Sequence, residues 1–254
     1  MATAAVTGSA SGIGAAIKRR LEANGDSVIG VDLREADVEA DLSTSEGRKS
    51  AVSGVLSACG GKLDRLVACA GLGAHLDDLA LIASVNYFGA IATLDGLKDA
   101  LSGREGAAAV AVCSNSARFG PFDDHPFVQA CLDGDEALAR ELVAQENGFI
   151  AYGGSKHALS RAVRRRAAEW GAAGVRLNGI APGSTQTAMV EALKDHPVFN
   201  KGHESLIMPL GRNAEPEEIA NVVSFMLSPE ASYVHGAIWY ADGGNEAATL
   251  PDRF

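Results

Sequence analysis

Tyr152 and Lys156 lie four residues apart in the run Ala151-Tyr-Gly-Gly-Ser-Lys156. On a helix that spacing puts a phenol and an ammonium on one face. A free tyrosine titrates near about pH 10, and a positive charge beside it favours the phenolate and lowers that value. A tyrosine tuned in this way can protonate a carbonyl oxygen or deprotonate an alcohol. Taken alone, such a pair is more often a solvated helix edge than a catalytic device, so the rest of the chain must supply the context.

The context begins at the amino terminus. Ala2 to Thr7 reads as a short buried strand running into Thr7-Gly-Ser-Ala-Ser-Gly-Ile-Gly14 and then a helix. Gly8 allows a tight bend, Gly12 lets the backbone approach a pyrophosphate, and Gly14 permits close packing of helix on strand. The amides at the helix start and the positive end of its dipole then face an anionic ligand. The second strand, Ser27 to Asp32, ends in an acid 24 positions after Gly8. A carboxylate there accepts hydrogen bonds from the adenosine ribose and repels a 2′-phosphate, which favours NAD over NADP. Arg34, two residues on, could attract that phosphate, and Asp32 could also be an ordinary strand-end turn residue.

Taken together, Gly8, Gly12, Gly14, Asp32, Tyr152 and Lys156 resemble the pattern of the short-chain dehydrogenase/reductase family, and further landmarks follow in order. Asp41-Leu42 resembles the adenine-contacting pair, and Ala68-Cys-Ala-Gly71 follows the fourth strand. Asn86 stands in Val85-Asn-Tyr-Phe-Gly89, Ser114 ends the fifth strand, and Pro182-Gly183 precedes Thr185 and Thr187. Three runs, Ser84 to Ala90, Ala172 to Asn178 and Ser232 to Ala237, are similar to the hydroxysteroid branch of that family. The resemblance implies a Rossmann-type α/β fold, a doubly wound parallel sheet in a single domain spanning 1–254. It implies Tyr152 as the acid in carbonyl reduction and the base in alcohol oxidation, and Lys156 depressing its pKa while holding the nicotinamide ribose. Ser114 would hold the substrate oxygen, and Asn86 a water linking Lys156 to solvent. The dinucleotide would lie on Gly8, Ser11, Gly12, Ile13, Gly14, Asp32, Asp41, Leu42, Ala70 and Gly71, with Thr185 and Thr187 at its carboxamide.

Two departures from the family pattern stand out. Ala68 and Cys69 occupy positions where many relatives carry asparagines, so any bond made by those side chains must be replaced by backbone or water. Ser114 lies 38 residues before Tyr152, a longer interval than most relatives have. The extra segment, roughly 119–148, reads as two short amphipathic helices. Pro126 suits a first turn, Phe127, Val128, Cys131 and Leu132 share a face, Asp133-Gly134 breaks the pattern, and Asp135 caps a second helix carrying Leu138 and Leu142. Their apolar faces must be covered, either by a neighbouring subunit or by forming a roof over the substrate cleft.

Elsewhere, periodicity predicts helices after the glycine turn, from Thr44 to about Ala58, from about Leu79 to Ala100 and from Tyr152 to Trp170. Ser43 with Glu46 reads as a capping box for the second of these. Arg65 to Cys69, Ala107 to Cys113, Val175 to Ile180 and Ala237 to Ala241 read as parallel strands. The segment 187–210 corresponds to a substrate lid, in which Met189, Leu193, Val198, Phe199, Leu206, Ile207 and Met208 supply apolar surface. Such a pocket favours a hydrophobic ketone or secondary alcohol, whether steroid, alicyclic or aromatic.

Composition excludes several other classes. A formal charge of −10 and a pI near 5.1 argue against nucleic acid and anionic membrane as partners. Arg161 with Arg164 to Arg166 reads as an exposed face or a subunit contact. No signal peptide or membrane-spanning run is read in the sequence, so a cytoplasmic homodimer or homotetramer is expected. The four cysteines lack Cys-x-x-Cys spacing and the six histidines lack ligand spacing, so no disulfide framework and no metal are expected. A non-catalytic dinucleotide sensor would show loss of Tyr152 or Lys156. An epimerase or dehydratase would show a sugar-nucleotide domain beyond residue 190.

Overall fold

The strands of this chain are short and rich in valine and alanine, which suits a sheet covered on both faces. The computed structural model describes residues 1–197, 200 and 206–253. The sheet comprises β1 (Thr3–Thr7), β2 (Ser27–Asp32), β3 (Val38–Glu39), β4 (Arg65–Ala68), β5 (Ala108–Val112), β6 (Arg176–Pro182) and β7 (Ile238–Ala241). All pairings are parallel, in the order β3-β2-β1-β4-β5-β6-β7. The order reverses between β1 and β4, and at such a switch point the carboxyl ends of the strands diverge to leave a crevice.

Each face of the sheet carries its own core. On one, α1 (Gly12–Ala23) packs beside a helix we number α9 (Pro216–Leu227), enclosing Val6, Ile17, Val110 and Val223. The other face is covered by α2 (Ser45–Ala58), α3 (Leu79–Ala83), α4 (Ala90–Leu101) and α7 (Gly148–Ala172), around Leu66, Leu94, Leu159 and Trp170. The inserted α5 (Pro126–Asp133) and α6 (Glu136–Val143) extend that second core. A short α8 (Ala188–Asp195) follows β6, and α10 (Asn245–Thr249) follows β7.

Several local expectations are corrected. The cap of α2 is Thr44, whose hydroxyl accepts from the Gly47 amide at 3.0 Å, because Ser43 is already committed to a turn in which its amide donates to Asp41. The helix bearing Tyr152 starts at Gly148, earlier than its apolar pattern indicates, because Asn147 caps it through Ile150 at 3.1 Å. Between α3 and α4 the expected single helix widens into a π-type turn over Ser84–Gly89 that carries Asn86. The continuous run Leu79–Leu101 does have the length and apolarity of a membrane span, contrary to the sequence reading. Its Ile82, Leu94, Leu97 and Leu101 are wholly buried in the core.

The insertion is stitched to its own chain. Phe127, Val128 and Cys131 of α5 and Ala139 and Val143 of α6 are fully buried in the chain's own core, Leu132 and Leu142 pack half-buried against it, and Leu138, expected on the same apolar face, stays 42% exposed. The glycines between Tyr152 and Lys156 make this docking possible. A Cβ on Gly153 would come within 2.6 Å of the Phe122 ring, and one on Gly154 within 3.1 Å of Phe127. Pro126 in the first turn, Gly134 at φ 77° and the Asp135 cap stand as the sequence indicates.

Thr7, at the end of β1, makes a connection to the backbone just after β4. Its buried hydroxyl accepts from the amides of Cys69 at 3.0 Å and Ala70 at 3.1 Å, fixing β4's exit against the glycine turn. Thr7→Val keeps the shape but strands two amide donors, a loss of about 1–3 kcal/mol. Urea unfolding should therefore show a lowered midpoint with an unchanged slope; an unchanged midpoint would contradict this role.

Candidate active site

Two cavities open at the carboxyl end of the sheet. One, of about 510 Å³, is lined by Gly8, Ser11, Gly12, Ile13 and Gly14 from the first turn, Asp32 from β2, and Asp41 and Leu42. Ala70 and Gly71 after β4, Thr185 and Thr187 after β6, and Ser114, Tyr152 and Lys156 complete its wall. Of the site residues expected from the sequence, Asn86 alone is not in that wall.

The glycines are required by contact. Gly8 has φ 70°, and a Cβ there would lie 2.8 Å from the Ala70 backbone. On Gly14 a Cβ would lie 1.9 Å from the Gly8 carbonyl, and on Gly12 3.3 Å from the Thr187 side chain. The turn is thus held against both the β4 exit and the start of α8, with a floor of bare backbone that fits a pyrophosphate. At the other end Asp32 is oriented by its own neighbourhood, one carboxylate oxygen accepting from Ala10 at 2.9 Å and the other from Leu33 at 2.7 Å. The nearby cation Lys18 is engaged by Asp37 at 3.0 Å. These residues fit a dinucleotide whose ribose lacks a 2′-phosphate.

Lys156 sits at the centre, 4 % exposed, its ammonium donating to the Val112 carbonyl of β5 at 2.8 Å. Burial disfavours its charged form and lowers its pKa. Tyr152 responds in the opposite sense to the sequence expectation. Burial raises its phenol above the ordinary value, and the hydrogen bond with Ser114 only partly offsets this. In the chain by itself the Lys156 charge is tied to a β5 carbonyl and does not govern the phenol. Ser114 is oriented in turn by Ser116, whose amide and hydroxyl donate to its oxygen at 3.2 and 2.9 Å.

Asn86 is buried behind this pair. Its side chain accepts from the Leu72 amide at 2.7 Å and donates to the Leu72 carbonyl at 3.0 Å, and to Ser155 at 3.4 Å. A Cβ on Gly71 would lie 3.3 Å from both the Asn86 side-chain oxygen and the Lys156 nitrogen, so Gly71 is the point where the two approach. His157, not singled out from the sequence, places Nδ1 2.9 Å from the Ala117 carbonyl and so fastens the turn after Ser114 to α7. Its position directly after Lys156 is the only sequence clue.

The second cavity, of about 710 Å³, shares Ser114, Tyr152, Gly183, Met189 and Val190 with the first. Phe119, Phe149, Leu193, Leu206, Met208 and Tyr240 give it a largely apolar wall. Phe119 and Phe149 flank the inserted helices, so the insertion touches this cavity at its ends only. Asn115, Asp242, Asn245 and Glu246 make a polar floor that sequence reasoning missed, since its two halves lie more than a hundred residues apart. Asn115 donates to Asn245 at 2.8 Å, and Asn245 donates to the Ile207 carbonyl at 2.6 Å. In the expected lid, Val198 and Phe199 lie outside the described residues. Among the described residues no cluster could hold a metal ion.

Comparison with known proteins follows the same lines. A family model described as short chain dehydrogenase matches residues 2–123, and one described as enoyl-(acyl carrier protein) reductase matches residues 137–246. A 3-alpha-hydroxysteroid dehydrogenase/carbonyl reductase of Comamonas testosteroni is 46% identical over 257 residues, covering 100% of both chains. A cis-4-hydroxycyclohexanecarboxylate dehydrogenase of Sinomonas cyclohexanicum is 32% identical, covering 96% of each. The crystal structure of a 3-alpha-hydroxysteroid dehydrogenase from Pseudomonas sp. B-0831 complexed with NADH superposes with a TM-score of 0.98 at 46% identity. It covers 99% of this chain and 100% of its own.

The raised phenol makes a direct prediction. Tyr152 is protonated at neutral pH in the unliganded chain, and its deprotonation falls above the ordinary value of 10.0. Ultraviolet titration of wild type against Tyr152→Phe should lose one tyrosinate step above that pH. A lost step near neutrality would contradict the assignment.

Proposed function

The chain is an oxidoreductase of the short-chain dehydrogenase/reductase family, and from that premise we propose that it interconverts a hydrophobic secondary alcohol and its ketone with NAD(H) in a single domain. The observation that carries this reading is the position of Ser114 and Tyr152 where a glycine-floored cavity meets a larger apolar one. The substrate class we favour is a 3α-hydroxysteroid with its 3-oxosteroid, or a related alicyclic or aromatic carbonyl. Similarity to the Comamonas enzyme supports that choice.

Hydride exchange with the substrate carbon is the chemistry a bound nicotinamide would supply. The remaining work belongs to the chain. Ser114 and Tyr152 hold the substrate oxygen between them, where negative charge develops during reduction. Tyr152, protonated at neutral pH, gives its proton to that oxygen; in oxidation the phenolate form accepts the hydroxyl proton. A raised phenol pKa makes reduction the easier direction at neutral pH, and makes oxidation speed up as pH rises. Lys156 holds the ribose side of the site with a charge fixed by Val112, and Asn86 orients the Leu72 backbone beside it. Apolar walls keep competing water from the reacting carbon.

Asp32 supports NAD as the cofactor, with NADP less favoured. A homodimer or homotetramer is supported by β7, the edge of the sheet, where Phe225 stacks on Trp239 at 5.7 Å while Phe225 and Tyr240 are each 40% exposed. Four free cysteines support a reducing, cytoplasmic setting.

Three experiments test this reading. Tyr152→Phe should lower turnover by roughly 10²- to 10⁴-fold while leaving NADH affinity nearly intact, read by cofactor fluorescence. Unchanged turnover would refute the acid-base role. Asp32→Ala should weaken NAD and narrow its advantage over NADP, and a wild type that prefers NADPH would overturn the role of Asp32. Oxidation at mildly alkaline pH, followed by NADH absorbance, should favour a 3α-hydroxysteroid over its 3β epimer, a cycloalkanol and an aryl alcohol. Preference for the aryl alcohol would keep the mechanism and replace the substrate class. Tight NADH binding without turnover would instead favour a redox sensor.

A further inference from the structure

One buried cation joins the inserted helices to the nucleotide end of the molecule. Arg48, on α2, is 9% exposed and lies far from Tyr152 in sequence. Its Nε donates to the Leu42 carbonyl at 2.8 Å, and its Nη2 to the carbonyls of Ser43 at 3.1 Å and Ser84 at 3.3 Å. The two ends of its fork donate to the two carboxylate oxygens of Glu136, each at 2.6 Å. A bidentate pair of this kind fixes orientation as well as charge.

Each partner of Arg48 bears on the site. Leu42 and Ser43 line the nucleotide cavity at the end away from Tyr152. Ser84 opens the π-type turn that carries Asn86. Gly89, which closes that turn, packs on Leu42 so tightly that a Cβ would lie 3.1 Å from the Leu42 Cβ. Leu42 is therefore clamped between Arg48 and the π-type turn. Glu136 belongs to the insertion, as the first residue of α6. It also accepts from the Ser84 hydroxyl at 2.9 Å, which in turn accepts from Arg140 at 2.6 Å. Burial tends to raise the Glu136 pKa, but the bonds from Arg48 and Ser84 and the charges of Arg48 and Arg140 hold it below the ordinary value. A buried guanidinium without this carboxylate would be drawn toward water and would release the three carbonyls.

We propose that Glu136 and Arg48 are a positioning pair through which the inserted helices set the adenosine wall of the nucleotide cavity. The role rests on the dinucleotide reading given above. It makes cofactor affinity depend on a residue of the insertion that does not itself line the cavity.

The test is calorimetric titration of the full chain with ADP-ribose, which fills the nucleotide cavity without the reacting nicotinamide. Glu136→Gln should weaken ADP-ribose by roughly ten-fold, while kcat at saturating NAD stays within about two-fold of wild type. Arg48→Met should weaken it comparably, and combining the two should add little, since both remove one interaction. Should Glu136→Gln fail to fold, Arg48→Met with Glu136→Leu removes both charges and should weaken ADP-ribose by a similar factor. A folded variant with a lowered urea midpoint but wild-type ADP-ribose affinity would reduce the pair to a structural tie and overturn the proposal. A wild type that does not bind ADP-ribose would overturn the dinucleotide reading and this one with it.

Discussion

The constraint on which the site depends is the burial of an ammonium. Lys156 lies inside the molecule and must find an acceptor there, and the end of β5 supplies one in the Val112 carbonyl. That bond fixes the rotation of α7 against the sheet, and with it the place of Tyr152. Gly153 and Gly154 cost the helix about 1 kcal/mol each relative to alanine. The cost is offset by what they admit, because Phe122 and Phe127 of the insertion pack where their side chains would be. One helical turn therefore carries Tyr152 and Lys156 on one side and the docking face for the inserted helices on the other.

The same burial alters the electrostatics from what two residues on a helix face would suggest. In water a neighbouring ammonium lowers a phenol's pKa. Here desolvation acts on both groups, pushing the phenol up and the ammonium down, and the Ser114 hydrogen bond outweighs the lysine charge as the opposing influence. The phenol is thus poised as a proton donor. The two cavities that meet at it differ in kind, one floored with backbone and ended by Asp32, the other walled with apolar side chains. In the proposed reaction that division separates the binding of a polar cofactor from the binding of a hydrophobic substrate, with Ser114 and Tyr152 at the boundary.

Much of this was legible in the sequence because it was local. The glycines of the first turn, Asp32 at the end of β2, the Val- and Ala-rich strands, Pro126 in the first turn of α5 and the Asp135 cap of α6 each depend on residues within a turn of one another. What was not legible depended on closeness in space. Thr7 is bonded to the amides of Cys69 and Ala70 across 62 and 63 residues, and nothing at position 7 distinguishes it from any threonine at a strand end. Arg48 and Glu136 stand 88 residues apart with nothing in either local run to join them, yet they form one bidentate pair around a buried guanidinium. The π-type turn at Asn86 follows a regular apolar pattern, so periodicity gave a plain helix. The insertion was located by spacing, but the surface that buries it was the chain's own.

In the proposed reaction the substrate oxygen is held jointly by Ser114 and Tyr152 at the meeting point of the two cavities. A crystal structure of the ternary complex with NADH and an unreactive ketone analogue tests it most directly. The ketone oxygen should lie within about 3 Å of both hydroxyls, with its hydrocarbon body against Phe149, Met189 and Leu193. A ketone seated elsewhere in the apolar cavity, with Tyr152 and Ser114 bonded only to each other, would contradict it.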